Sequence, residues 1–127
     1  MDSTELRDRT KRLSLNIIEL FKRMPRTFEG QVLGKQVLRS ATSVAANYRA
    51  ACRARSRAEF ITKISIVVEE ADETVFWLEL IGESKVAIIE AQMLREASEI
   101  LAIMAASRKT AGKTVMKTKG NAKALNH

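Results

Sequence analysis

A chain of 127 residues, 46% of them apolar, is sized for one domain with a modest core. Five glycines, one proline and 5% aromatic residues are too few turn formers and sheet-favouring side chains for a β fold, so the expected class is all-α. One cysteine and one histidine, the latter at position 127, exclude an internal disulfide, a multi-cysteine zinc site and histidine-based acid–base catalysis.

The net charge of +7 is unevenly placed. Residues 1–29 carry +2, residues 30–58 carry +6 with no acidic residue, residues 59–107 carry −7, and residues 108–127 carry +6 with no acidic residue. Such polarity either neutralises itself between neighbouring helices or presents a basic face to an anionic partner. No apolar run approaches the roughly 20 residues that span a bilayer, and the N-terminus is charged where a signal peptide is hydrophobic. The expectation is a cytoplasmic protein that does not enter a membrane.

The first helix is predicted from an Asp2-x-x-Glu5 capping box to about Met24, ahead of Pro25. Leu6, Leu13, Ile17, Leu20 and Phe21 mark its buried face, and most of its arginines and lysines fall on the other side. Residues 25–30 form the link, with Gly30 giving backbone freedom and Phe28 plugging the bundle end. The second helix is read from about Gln31 to Arg55, its stripe being Leu33, Val37, Ala41, Val44, Tyr48 and Ala51. Ser40, Ser43 and Asn47 lie beside that stripe as hydrogen-bonded groups that set register. Cys52, among alanines, reads as a small packing residue.

Ser56 and Glu59 form a second capping box and turn the chain into a third helix, from about Arg57 to Ile81 with Gly82 as its stop. Phe60, Ile64, Val67, Val68, Ala71, Val75, Leu78 and Ile81 are its stripe. Trp77 suits either the core or an interface. Glu69, Glu70, Asp72 and Glu73 point different ways on a helix, which favours pairing with arginines over a metal site. A fourth helix begins between Ser84 and Ala91 and ends near Ser107, with Leu94, Ala97, Ile100, Leu101 and Met104 inward. Short links between helices of matched length give an antiparallel up-down-up-down bundle over residues 1–107. Residues 108–127 read as a flexible basic tail, suited to phosphate contacts through Lys109, Lys113 and Lys117.

The run Ser40-Ala-Thr-Ser-Val-Ala-Ala-Asn47 through Ser56 and Phe60, with Glu69-Glu-Ala-Asp-Glu-Thr74-Val-Phe-Trp77-Leu-Glu-Leu, resembles the bacterial four helix bundle proteins of 23S rRNA intervening sequences. That family is similar to the accessory variability proteins of diversity-generating retroelements. The resemblance implies a four-helix protomer, a pentameric homo-oligomer, and a basic surface that in the retroelement relatives serves nucleic acid and reverse transcriptase binding. Ser43, Asn47, Glu70, Glu73 and Trp77 match the family signature and are carried as structural or interface positions.

These readings converge on a non-enzymatic homo-oligomer without metal or cofactor. It binds RNA or DNA through Arg39, Arg49, Arg53, Arg55, Arg57 and the tail lysines. The alternative is a protein-interaction or scaffold subunit, such as a reverse transcriptase accessory protein, in which acidic helix three occupies basic helix two.

Overall fold

The computed structural model describes the backbone of residues 1–125 and the side chains of residues 1–113. Four helices follow in order: α1 (Ser3–Arg23), α2 (Phe28–Cys52), α3 (Arg57–Glu83) and α4 (Ala91–Leu125). Each packs on its neighbour in sequence and α4 returns to α1, so the all-α four-helix bundle is observed. Among the described residues, no helix is long and apolar enough to cross a membrane.

The expected stripes meet in one core. Ile17, Leu20, Val37, Val44, Ile64, Leu78, Ile81, Ile100 and Met104 are all fully or almost fully buried. Small residues let α1 and α2 approach closely. The Ser14 hydroxyl lies 3.1 Å from the Thr10 carbonyl on its own helix and 3.2 Å from the Ala41 carbonyl on α2. Across the next seam the Thr74 and Ser40 hydroxyls are 2.9 Å apart, both buried. Each also reaches a carbonyl of its own helix, Glu70 for Thr74 and Val37 for Ser40. This pair, rather than Ser43 and Asn47, makes the hydroxyl contact between α2 and α3. Cys52 is half-buried and packs against the core.

The caps show where sequence reading holds and where it slips. Asp2 and Ser56 accept from the backbone N–H groups of Glu5 and Glu59, as their spacing predicts. At α2 the cap is Thr27, which accepts from the Gly30 N–H, so the helix starts three residues earlier than expected. Phe28 thereby takes the first helical position and points outward, 84% exposed; it does not plug the bundle. Gly30 is required for room rather than for backbone freedom. A Cβ there would stand 2.9 Å from the Thr27 hydroxyl and closer still to the Pro25 carbonyl.

Helix α3 runs past Gly82 to Glu83. The left-handed residue that ends it is Lys85, at φ 63°. Lys85 N–H donates to the Gly82 carbonyl and Val86 N–H to the Ile81 carbonyl, the paired bonds of a Schellman stop. Helix α2 ends three residues short of its expected limit. Helix α4 continues beyond Ser107: Ala111 is buried, and the backbone stays helical to Leu125.

Candidate nucleic-acid interface

Arg49 stands in the last turn of α2 and Arg53 is the residue that caps it, four positions on, so both come to one side about 6 Å apart along the axis. That side faces α1, where Arg7 and Lys11 repeat the spacing. Between the two rows lies a groove of about 590 Å³, with Thr42, Ala45, Ala46 and Ser14 among its lining residues. Small side chains from both helices leave the groove open. Its four cations are exposed and make no ion pair with any described residue. Asp8 is the acidic group in the lining, and Arg7 donates to the Thr4 hydroxyl at 3.2 Å.

Beyond the groove the α2–α3 corner carries Arg55 and Arg57, both exposed. Arg55 Nε sits 3.9 Å from Glu59, and its side chain keeps 91% of its surface in solvent. Exposed pairs of this kind contribute little, so Arg55 is free to meet another anion. Because α4 returns antiparallel to α3, Lys109 and Lys113 run toward the same end of the bundle, and both are exposed. Lys117 and the later lysines lie outside the described side chains.

Arg39 stands apart. It is ten residues before Arg49, about 15 Å along the helix, and forks between two carboxylates of α3. Nη1 donates to Glu70 at 3.0 Å and Nη2 to Glu73 at 3.1 Å. Burial pushes the Glu70 carboxyl above the usual carboxylate range, and the Glu73 charge adds to this, whereas Arg39 pulls the other way. One and two turns further along α2, Asn47 Nδ2 donates to the carbonyl and hydroxyl oxygens of Ser43, each at 3.0 Å. Trp77 is partly buried against the core and meets Phe76 edge-on, with ring centroids 5.0 Å apart. Its Nε1 is buried without an acceptor among the described residues.

The structure thus gathers Arg49, Arg53, Arg55 and Arg57 at one end and places Arg39 in the acidic seam. Sequence reading missed that Arg7 and Lys11 complete the groove, because the angle at which α1 meets α2 selects them. It also missed Arg9, which leaves the exposed basic face of α1 to clamp α4. Arg9 Nε donates to Glu96 at 3.0 Å and Nη2 reaches Glu99 at 3.2 Å. Hydrogen bonding to Glu96 holds this guanidinium still more firmly protonated than usual.

Residues 3–107 match the family model described as 23S rRNA-intervening sequence protein. The chain belongs to that family. The chain is also similar to a crystal structure from Bacteroides thetaiotaomicron, described as a protein with unknown function from the S23 ribosomal protein family. The two share 33% identity and a TM-score of 0.75, over 86% of this chain and 99% of the other. No curated protein matches. The match ends at Ser107, so the Lys-rich part of α4 lies beyond what the family model covers.

Proposed function

We propose that the chain is a non-enzymatic, homo-oligomeric protein of the cytoplasm that holds RNA or DNA by its backbone at the basic end of the bundle, with little sequence preference. The observation that carries this reading is the α1–α2 groove, where Arg7, Lys11, Arg49 and Arg53 stand exposed and unpaired over small side chains. Cations at helical spacing match phosphates repeated along a strand. Contacts from these cations to phosphates position the partner without reading its sequence. The ribosomal-family description of the Bacteroides protein supports an RNA partner. Homo-oligomerisation adds sites on one particle, which raises avidity without new chemistry.

A second reading, a protein-binding subunit such as a reverse transcriptase accessory protein, draws support from Arg39. There the basic helix is already neutralised by Glu70 and Glu73 of its own chain. Paired substitution Arg49→Gln, Arg53→Gln separates the two. Loss of retention on structured RNA by an intact assembly supports the first reading; loss of assembly with no RNA binding at any salt supports the second.

A further inference from the structure

Helix α3 turns a strip away from the bundle: Glu69, Asp72, Phe76, Glu79, Leu80 and Glu83, recurring at three- and four-residue steps. Every one is exposed, Phe76 by 54% and Leu80 by 37%, and none of the four carboxylates is ion-paired to a described residue. This is the spacing of a helix–helix seam, with an apolar centre and charged flanks. Its complement is a lysine-rich helix.

The chain contains such a segment. From Lys109 to Lys123 the sequence has five lysines and no carboxylate, and α4 is helical to Leu125. Both the strip and the segment are fifteen residues long, about 21 Å of helix from first to last. Within one protomer they cannot meet. Ile89 and Leu94, at the entry to α4, share a hollow with Leu78 and Gly82, so α4 departs from the Phe76 end and carries its lysines away.

We infer that the outer strip of α3 is the docking surface for the Lys-rich end of α4 from a second copy of the chain. The inference rests on the homo-oligomeric part of the proposed function and names the surfaces that make it. The contact joins unlike surfaces, so each copy both gives and receives, and the assembly closes into a ring or extends. Lysines seated on α3 are withdrawn from phosphates, so nucleic acid and self-assembly compete for them.

Light scattering behind size exclusion, on the full chain at low salt, tests this. The wild type is expected at a multiple of its 14.2 kDa protomer mass. Asp72→Lys with Glu79→Lys, and separately Lys113→Glu with Lys117→Glu, should each drop the mass to one protomer. Combining all four should restore the assembly, because the opposite charges face each other again. If both paired variants keep the wild-type mass, the strip is not the interface, although homo-oligomerisation stands. If the mass falls but the fourfold variant does not recover it, the tail is not the occupant. A wild type that is monomeric overturns both the surface and the oligomer.

Discussion

Arg39 and Glu70 show how a single partly buried carboxylate shapes the response to pH. The Glu70 side chain keeps only 17% of its surface, and its folded pKa is raised, so the folded chain holds this proton more tightly than the unfolded chain does. The proton therefore adds stability below the usual carboxylate value of 4.5, and that contribution is lost as pH rises through the folded value. Arg39 offsets the cost of the charge. Arg39→Met should destabilise by roughly 1 kcal/mol at neutral pH and by less near pH 4, read from urea melts across that range. The Ser40 and Thr74 hydroxyls invite a double-mutant cycle. Ser40→Ala and Thr74→Val should each cost about 1 kcal/mol, and the double variant less than their sum, because each removes the other's partner. Thr74 was hidden from sequence reading because a threonine amid a valine and glutamate run resembles a surface residue. Only its helical register with Ala71 and Leu78 places it inside.

At the scale of elements, the stripes of large apolar residues made all four helices legible, whereas their ends depended on turn chemistry that apolar spacing does not encode. Thr27 outcompeted Gln31 as the start of α2 because its hydroxyl meets the Gly30 N–H. Lys85 took the left-handed position at the end of α3 although Gly82 stood three residues before it. A non-glycine residue there carries a steric cost, so Lys85→Gly should stabilise the bundle by about 1 kcal/mol. Gly30→Ala should act oppositely, costing about 1–3 kcal/mol, because its Cβ meets backbone that cannot withdraw. Thermal melts of the two variants should move in opposite directions. The groove was half legible. Four-residue spacing put Arg49 and Arg53 together, but the α1 cations opposite them follow from how α1 and α2 cross, a property of both helices at once.

The whole molecule is polarised along its length. The start of α1, the end of α2, the α2–α3 corner, Lys109 and Lys113 bring their cations to one end, whereas five of the exposed large apolar residues, Phe28, Val32, Phe76, Leu80 and Ile88, belong to the other; Leu15 lies midway along α1 and Met1 at the basic end. One end suits phosphates; the other suits protein. A polarised bundle of this kind explains how a chain with a nearly neutral body can still attract an anion, because the field is set by local density rather than by the sum. The most direct test measures the affinity of the full chain for a structured RNA by fluorescence anisotropy from low to physiological salt. The comparison is wild type against Arg49→Gln/Arg53→Gln, with Arg39→Gln as control. The account predicts that the logarithm of affinity falls linearly with that of salt, that the groove variant binds weaker with a slope shallower by about 1 for each lost phosphate contact, and that the Arg39 variant matches wild type. Affinity indifferent to salt, or equal loss from the Arg39 and groove variants, would contradict it.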